Sequence, residues 1–422
     1  MTDVPNFRSE FLRTFVARGA YYDCSEPDDL DALFQKERVT AYIGFDCTAS
    51  SMHIGNLVQL MTLRRLQQAG HRPILLMGGG TTKLGDPSGK DEVRQILTPE
   101  KIEANKASMV AGIRHLLTFG DGPSDAIMID NAEWLDSLEY IPFLRAIGRH
   151  FSVNRMLTMD SVKIRLEREQ ALSFLEFNYM VCQAYDYVEL NRRYGCRLQS
   201  CGSDQWGNVI SGIDLGRRVE GVQLFGLSTP LITTSSGAKM GKSVAGAVWL
   251  NADLRSPYEY WQFWRNTEDG DVGRFLRLFT DLPLAEIARL ETLQGAERNE
   301  AKKILATEAT AVLHGRAAAG EAAETARRTF EEGAIDEGLP TYEYIGGLEK
   351  LRGNPAVTGI AAMCGLTASA SEARRFIEGG GLRVNDVPVT DVKATLSPAD
   401  ITAKGVIKLS VGKKKHILVK PI

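Results

Sequence analysis

The sequence predicts an α/β protein whose first half holds a parallel sheet, followed by a helical region and a small α+β module. Three observations lead to this fold class. A strand, a helix and a second strand follow one another between residues 38 and 77, as in a βαβ unit. From Ser256 the pattern becomes helical, and after residue 356 one capped helix precedes short strands. At 422 residues the chain is long enough for two or three domains.

The βαβ unit is defined by a change of hydrophobic period. Residues 38–46 are rich in β-branched and aromatic side chains and predict a strand. From Ile54 apolar residues recur at helical spacing, and Gly70 is suited to end that helix. Residues 73–77 form a continuous apolar run, as expected for a parallel strand that is buried on both faces.

Beyond this unit the pattern is mainly helical. The expected elements are a mixed-charge helical stretch over 99–160, a helix from Phe174 to Leu190, a last short strand at 248–250, helices from Ser256 with an alanine-rich run over 301–329, and a linker within 334–356. The expected domains are 1–250 with an insertion at about 99–160, a helical domain at 251–345, a linker at 346–356 and a last module at 357–422.

Composition argues against a membrane protein and against a disulfide framework. Hydrophobic residues make up 44% and charged residues 24% of the chain, as in globular proteins. No stretch of about 18 apolar residues occurs, and the first five residues lack the order of a signal peptide. The six cysteines have no framework spacing, and no second Cys or His pair lies near Cys196 and Cys201, so no metal site is predicted. We therefore expect a cytoplasmic protein.

Charge is distributed unevenly along the chain. The net charge is −3, yet residues 355–422 contain ten Lys or Arg against five Asp or Glu. A basic terminal module on an acidic body favours a polyanionic partner that binds at one end, although a solvated basic face would give the same count.

The turn between the first strand and the first helix has the features of an anion site. The N-terminus of a helix directs backbone N–H groups outward, where a phosphate is favoured. Gly55 places no side chain between the helix and a ligand, Thr48 adds a hydroxyl, and His53 and Asn56 lie one turn apart. Taken alone, His53 and Asn56 fit an ordinary helix cap better than an active site.

Two glycine-containing segments resemble a P-loop only superficially. The P-loop pattern needs glycines five positions apart before Lys-Ser or Lys-Thr, and neither Gly89-Lys90 nor Gly241-Lys242 meets it. Gly78–Gly80, after the second strand, indicate that something approaches the backbone closely. Lys239–Ser243 offers two ammonium groups on a loop of small residues, which suits a triphosphate. Taken alone, such a segment fits a solvated basic turn better.

Together these segments resemble the class I aminoacyl-tRNA synthetases. His53–Asn56 and Lys239–Ser243 are similar to the two signatures of that family. Four further blocks resemble its tyrosine-specific, bacterial branch, namely Tyr42–Asp46, Gly85–Lys90, Gln183–Asp186 and Gly202–Asn208. The resemblance implies a Rossmann-like catalytic domain, a helical domain on the anticodon side, and a homodimer formed through the 99–160 insertion.

The resemblance also implies a role for each matching residue. Tyrosine would be held by Tyr42 and Asp186 at its phenol hydroxyl, and by Asp86, Tyr179, Gln183, Thr81 and Gln205 around its α-ammonium group. ATP would contact Gly44, Asp46, His53, Gly55, Gly202, Asp204 and Lys242, and the catalytic residues would be Thr48, His53, Asn56, Lys90, Arg94, Lys239 and Lys242. Independently of the resemblance, Tyr179, Gln183 and Asp186 form one polar stripe of a helix, which faces either water or a pocket.

Two residues depart from the family pattern. The first signature usually ends in histidine, and here Asn56 stands in that place with a hydrogen-bond donor of its own. Many relatives have a cysteine that touches the ribose, where this chain has Ile43, so one polar contact to the nucleotide is expected to be lost.

The C-terminal segment resembles the S4-type RNA-binding module. Ser369–Glu372 is a capping box that starts a helix, and glycines at 379–381 end it before a strand. The residues expected to contact RNA phosphates are Arg374, Arg375, Arg383, Lys413, Lys414 and Lys415. The alternative is a basic tail that only aids solubility.

The implied activity has two steps and several partners. Tyrosine would react with ATP, accompanied by Mg²⁺, to form an adenylate, and the tyrosyl group would pass to the terminal ribose of tRNA(Tyr). No membrane partner is expected. A tryptophan-specific sibling and another nucleotidyltransferase, such as a cytidylyltransferase, remain alternatives, as does an RNA-binding protein that has lost catalysis.

Overall fold

The structure is a computed structural model that describes residues 4–87, 96–235, 237, 240, 242–243, 246–331, 339–402, 404–412 and 415–422. At residues 160–161, 242–243, 246, 296 and 329–331 only the backbone is described. The chain divides into two compact units, Met1–Arg255 with Asn266–Gly315, and Ser256–Arg265 with Arg316–Ile422. The helical segment expected at 251–345 is therefore shared between the two units.

The described elements are numbered in chain order. The strands are β1 Asp23–Cys24, β2 Thr40–Asp46, β3 Arg72–Gly78, β4 Ile127–Asp130, β5 Cys196–Gly202, β6 Phe225–Thr229, β7 Lys242–Ser243, β8 Gly246–Ala247, β9 Thr341–Tyr344, β10 Leu382–Val384, β11 Val387–Pro388, β12 Ile407–Val411 and β13 Lys415–Pro421. The helices are α1 Glu10–Ala17, α2 Pro27–Lys36, α3 Ile54–Gln68, α4 Pro99–Gly112, α5 Ala132–Leu135, α6 Tyr140–Ala146, α7 Val153–Leu157, α8 Asp160–Glu167, α9 Phe174–Phe177, α10 Tyr179–Tyr194, α11 Trp206–Glu220, α12 Pro257–Arg265, α13 Val272–Phe279, α14 Leu284–Glu291, α15 Arg298–His314, α16 Arg316–Glu331, α17 Gly347–Arg352, α18 Val357–Met363 and α19 Ala370–Glu378.

A six-stranded sheet in the order β1-β6-β5-β2-β3-β4 forms the centre of the first unit. β1 is antiparallel to β6, and all other neighbours are parallel. The predicted βαβ unit is confirmed, because β2 and β3 pair in parallel and α3 connects them. The apolar run in β3 is explained by its position between two other strands, where residues 73–78 are all buried.

Parts of this sheet differ from the sequence-based expectation. β4 lies within the stretch predicted as helical, and β5 and β6 were not predicted at all. Residues 248–250 do not form a strand, and Trp249 makes only an isolated bridge with His53. β5 and β6 lack a clear hydrophobic pattern because they contain Gly, Ser, Cys and Thr. Small residues are needed there, since a Cβ on Gly226 would lie 2.7 Å from Val209 of α11.

The helix expected from Phe174 to Leu190 is divided in two. α9 ends at Phe177, and α10 begins two residues later and continues to Tyr194. Gly195 ends α10 with a φ of 62°, a left-handed conformation that favours glycine. The longer helices expected after residue 256, including the alanine-rich run, are confirmed as α15 and α16.

The second unit contains a five-stranded sheet in the order β11-β10-β12-β13-β9. The β9–β13 pair is parallel and the other pairs are antiparallel. α19 begins as predicted, with the Ser369 hydroxyl accepting the N–H of Glu372, but the Glu372 carboxylate accepts from Ala368 and so does not complete the capping box. The segment interpreted as a linker carries β9 and α17, because β9 finds its hydrogen-bond partners in the distant strand β13.

None of the helices in the described part of the chain combines the length and the apolar character that a membrane span requires.

Candidate active site

A cavity of about 590 Å³ opens at the carboxyl ends of the parallel strands in the first unit. The chain leaves β2 toward β3 on one side and leaves β5 toward β6 on the other, so the direction of the connections reverses between β2 and β5. Ligands of open parallel sheets bind at such a switch point. Its position makes this cavity the candidate active site.

Most of the residues predicted from the sequence line this one cavity. They are Tyr42, Gly44, Asp46, Thr48, His53, Gly55, Asn56, Thr81, Asp86, Tyr179, Gln183, Asp186, Gly202, Asp204 and Gln205. Lys90, Arg94 and Lys239 lie outside the described residues, and Lys242 is described only by its backbone in β7. The described lining carries four carboxylates and no Lys or Arg side chain.

The polar stripe of α10 faces the cavity and not water. Tyr179, Gln183 and Asp186 all line it. The Tyr179 hydroxyl donates to Asp46 Oδ2 at 3.0 Å, and Gln183 Oε1 accepts an N–H of Asn208 at 2.8 Å. Asn208 belongs to α11, which packs along α10, so both helices orient the stripe.

Asp186 is buried, and its carboxylate is held from two sides. Oδ1 accepts the indole N–H of Trp134 at 2.8 Å, and Oδ2 accepts an N–H of Asn131 at 2.9 Å. Burial raises the pKa of Asp186 to about 8, although these two hydrogen bonds oppose the shift. The carboxyl group is therefore desolvated yet firmly oriented.

The Tyr42 hydroxyl is a buried polar group with no hydrogen-bond partner among the described residues. Burial raises the pKa of Tyr42 well above its ordinary value, and the charge of Asp186 adds to this effect. A buried group left without a partner costs about 1–3 kcal/mol. Its presence in the cavity lining indicates that a polar group of a ligand completes the site.

A second group of polar side chains surrounds Asp46 and Asp86. Thr81 Oγ1 donates to Asp46 Oδ1 at 2.7 Å, on the carboxylate that Tyr179 also contacts. Gln205 Nε2 donates to Asp86 Oδ2 at 2.9 Å. Two carboxylates with neighbouring hydroxyl and amide groups suit a cation such as an ammonium group.

His53 and Asn56 form the N-terminal cap of α3. Asn56 Oδ1 accepts the N–H of His53 at 3.0 Å, and His53 Nδ1 accepts the N–H of Gly55 at 3.0 Å. Because Nδ1 is an acceptor, the neutral ring carries its proton on Nε2, which is then a donor. The cap and an anion-binding role are therefore compatible, and Asn56 keeps its NH₂ group as a donor.

Three glycines near the cavity are required by neighbouring side chains of the protein and not by a ligand. A Cβ on Gly55 would lie 2.8 Å from the ring of His53, so the cap itself requires glycine. A Cβ on Gly78 would lie 2.3 Å from Asp46 Oδ1, and one on Gly79 would lie 2.4 Å from Asp130. The groups that approach Gly78 and Gly79 closely are thus side chains of the protein.

Sequence reasoning missed several cavity residues because they lie on or after the strands it did not predict. Asn131 follows β4, Gln199 belongs to β5 and Thr229 ends β6. Gln59, which was also missed, donates to Thr229 Oγ1 at 2.6 Å. The available signal for Asn131 was the apolar run 127–129 followed by Asp130, just as the apolar residues of β2 are followed by Asp46.

The basic residues predicted in the second unit are placed on its surface where they are described. Arg374 and Arg375 on α19, Arg383 on β10 and Lys415 on β13 are exposed. Lys413 and Lys414 lie outside the described residues.

Comparisons with known proteins agree with this organisation. Residues 35–331 match the model for tRNA synthetases class I (W and Y), and residues 365–401 match the S4 domain. The tyrosine--tRNA ligase of Bradyrhizobium diazoefficiens is 64% identical over 98% of this chain and 99% of its own length, and that of Nitrobacter winogradskyi is 60% identical over the same shares.

A solved structure is similar as well. A C-terminally truncated mitochondrial tyrosyl-tRNA synthetase of Aspergillus nidulans is 30% identical, with a TM-score of 0.70 over 76% of this chain and 95% of that one. The predicted fold class and family are thereby confirmed. The chain belongs to the class I tRNA synthetases, in the family of the tyrosine--tRNA ligases.

Proposed function

We propose that this chain activates L-tyrosine with ATP to tyrosyl-adenylate and then transfers the tyrosyl group to the terminal ribose of tRNA(Tyr), releasing AMP and pyrophosphate. The observation that carries the specificity is the Tyr42 hydroxyl, which no side chain or backbone group in the described part of the chain hydrogen-bonds, in the cavity that also holds Asp186. A phenol hydroxyl can accept from Tyr42 and donate to the Asp186 carboxylate at the same time.

Other aromatic amino acids satisfy this pair less well. Phenylalanine leaves both groups unpaired, and the indole N–H of tryptophan can donate to Asp186 but cannot accept from Tyr42. A site built to hydrogen-bond a hydroxyl rejects the analogue that lacks it, a rule for which the tyrosine enzymes are themselves the standard example.

The α-ammonium group of tyrosine is assigned to the polar residues around Asp46 and Asp86. Asp86, Tyr179 and Gln183 would contact it, with Thr81 and Gln205 nearby. The hydrogen bonds that already hold Gln205 to Asp86 and Thr81 to Asp46 support this assignment, because they fix the acceptors in place.

Activation needs no protein nucleophile. The carboxylate of tyrosine attacks the α-phosphorus of ATP, a P–O bond forms, and the bond to pyrophosphate breaks. The protein therefore acts by orienting the reactants and by stabilising negative charge on the phosphates. Gly44, Asp46, Gly55, Gly202 and Asp204 would line the nucleotide, while Thr48, His53, Asn56, Lys90, Arg94, Lys239 and Lys242 would face the departing pyrophosphate.

Magnesium would accompany ATP. Among the described residues no group of three or more His, Cys, Asp or Glu side chains is arranged to hold a metal. We therefore propose that the ion is bound mainly through the phosphate oxygens of ATP and not in a cage of protein ligands.

The second step requires tRNA, which we assign to the second unit through the exposed Arg374, Arg375, Arg383 and Lys415, together with Lys413 and Lys414. The S4 match and the exposure of the four described residues support this assignment. A tRNA substrate also favours a cytoplasmic location.

The decisive test of the proposed function is amino-acid-dependent exchange of pyrophosphate into ATP, measured separately with tyrosine, tryptophan and phenylalanine. We expect exchange with tyrosine, much weaker exchange with the other two, and charging of tRNA(Tyr) when tRNA is added. Exchange with tryptophan alone, or with none of the three, contradicts the proposal.

The same assay separates the RNA-binding residues from the active site. Replacing both Arg374 and Arg375 by glutamate is expected to weaken tRNA charging about tenfold or more at moderate salt, since phosphate contacts dominate such affinities. Pyrophosphate exchange without tRNA should stay unchanged, and a parallel loss of exchange would show that the substitutions damage the fold.

We further propose that two copies of the chain associate through the insertion at about 99–160 together with the residues that follow it to 175. Many of the exposed large apolar side chains lie there, namely Tyr140, Ile141, Val153, Leu157, Ile164, Leu166, Phe174 and Leu175. Exposed apolar surface of this extent marks a protein contact, and a second copy covers the same surface on both partners at once.

Sedimentation equilibrium tests this association. We expect a mass of about twice the 46.4 kDa of one chain, and a single-chain mass for the double variant Ile141→Asp, Phe174→Asp. Val387→Asp, at another exposed valine in the second unit, serves as the control that should stay dimeric. A monomeric unsubstituted protein refutes the proposal.

A further inference from the structure

Helix α13 is bound at its C-terminal end by two arginines from the first unit. Arg65 NH2 donates to the carbonyls of Arg277 at 2.7 Å and Leu278 at 2.5 Å. Arg18 donates to the carbonyls of Arg277 and Thr280 at 3.2 and 3.0 Å. Guanidinium groups at the end of a helix satisfy its last carbonyls and complement its dipole. Arg65 belongs to α3, so α13 is fixed to the helix that begins beside the cavity.

Residues at the N-terminal end of α13 hydrogen-bond to the segment that contains Thr233 and Ser235. Asp271 Oδ2 accepts the backbone N–H of Ser235 at 2.8 Å, and Asp271 Oδ1 pairs with Arg274 at 3.0 Å. Arg274 also donates to the carbonyl of Thr233, and Glu268 accepts the hydroxyl of Ser235 at 2.7 Å. We call Glu268, Asp271 and Arg274 the loop anchor. Asp271 is 3% exposed, so its carboxylate is shielded from water.

The anchored segment reaches the cavity. The N–H of Met240 donates to the carbonyl of Ile232 at 2.8 Å, so these two residues lie next to each other. Ile232 and Met240 both line the cavity, and a Cβ on Gly55 would lie 3.7 Å from the Met240 carbonyl oxygen. The loop anchor therefore holds the base of a segment that forms part of the cavity wall beside the first signature.

We propose that Asp271, supported by Glu268 and Arg274, is a positioning residue that sets the loop carrying Lys239–Ser243 for the departure of pyrophosphate. This inference rests on the proposed role of Lys242. A carboxylate is required because one oxygen accepts from Ser235 while the other pairs with Arg274. An amide offers a single acceptor oxygen, so asparagine must give up one of the two contacts.

The test compares Asp271→Asn with Asp269→Asn. Asp269 lies in the same turn, is exposed and pairs with Lys302, so its variant makes the same chemical change away from the loop. We expect Asp271→Asn to lower kcat of tyrosine-dependent pyrophosphate exchange about tenfold or more, because one charged hydrogen bond is lost. The KM for tyrosine and the melting temperature should stay near those of the unsubstituted protein, and Asp269→Asn should have no effect.

A double-mutant comparison with Lys242→Ala shows whether Asp271 acts through the loop. If it does, Lys242→Ala lowers kcat by a smaller factor in the Asp271→Asn background than alone. The inference is overturned if Asp271→Asn leaves kcat unchanged. It is also overturned if the decrease in kcat in the double variant equals the product of the decreases in the two single variants. A Lys242→Ala variant that is fully active refutes the proposed role of Lys242, and the inference that rests on it is refuted as well. A Lys242→Ala variant that loses rate while Asp271→Asn keeps its kcat refutes the positioning role of Asp271 alone.

Discussion

Replacing Asp186 by asparagine is expected to lower kcat/KM for tyrosine by at least about 10²-fold, since one of two buried oxygen acceptors is lost and its partner is left unpaired. The two carboxylate oxygens accept from Trp134 and Asn131 at 2.8 and 2.9 Å. In the variant the NH₂ group must face one of these donors, and a buried donor facing a donor has no compensating bond. Pyrophosphate exchange with tyrosine and phenylalanine measures the effect.

The loss should be specific to tyrosine. We expect Asp186→Asn to reduce the difference in kcat/KM between tyrosine and phenylalanine, because phenylalanine makes no hydrogen bond that the variant removes. Glu189→Gln is the matched control: it makes the same change on the same helix, at a residue paired with Arg192 and Arg193 and absent from the cavity lining. An Asp186→Asn variant that keeps its preference for tyrosine contradicts the assigned role.

Replacing His53 by alanine is expected to lower kcat of pyrophosphate exchange by about 10²–10³-fold, the usual cost of removing one donor that stabilises charge in a transition state. The affinity for tyrosine should change little, because the Nε2 proton of His53 is assigned to phosphate and not to the amino acid. Equilibrium binding of tyrosine and the exchange rate at saturation separate the two effects.

The variant His53→Asn distinguishes catalysis from helix capping. Asparagine is among the best N-cap residues, so it can replace His53 Nδ1 as the acceptor of a helix N–H, whereas alanine loses the cap at a cost of about 1 kcal/mol. We expect His53→Asn to have the melting temperature of the unsubstituted protein, but to show the same decrease in kcat of pyrophosphate exchange as His53→Ala. Full activity in His53→Asn would mean that His53 matters only as a cap.

The fold was predictable where structure is encoded locally. The change of period between residues 38 and 77 predicted β2, α3 and β3, and the polar stripe of α10 followed from its spacing. β5 and β6 could not be predicted in this way, since strands such as Phe225–Thr229 are stabilised by pairing with distant strands and by the packing of α11.

The site was predictable mainly through resemblance, and the structure explains why the residues alone were insufficient. His53 and Asn56 do cap α3, as their spacing suggests, and only their place beside Tyr179 and Asp186 in one cavity gives them a further use. Asn131 was missed because β4, which it follows, was not predicted, and its bond to Asp186 joins residues that are 55 positions apart in the chain.

The sequence by itself determined the α/β class, the order of β2, α3 and β3, the family and the chemical character of the residues at the cavity. Only the tertiary structure decided which polar groups meet there, that the Tyr42 hydroxyl finds no partner among the described residues, and that burial raises the pKa of Asp186 to about 8. It also decided that Asp271 holds the base of the loop before the second signature. The physical reason is that burial and hydrogen bonding depend on segments far apart in the chain, whereas hydrophobic period and helix capping depend on near neighbours.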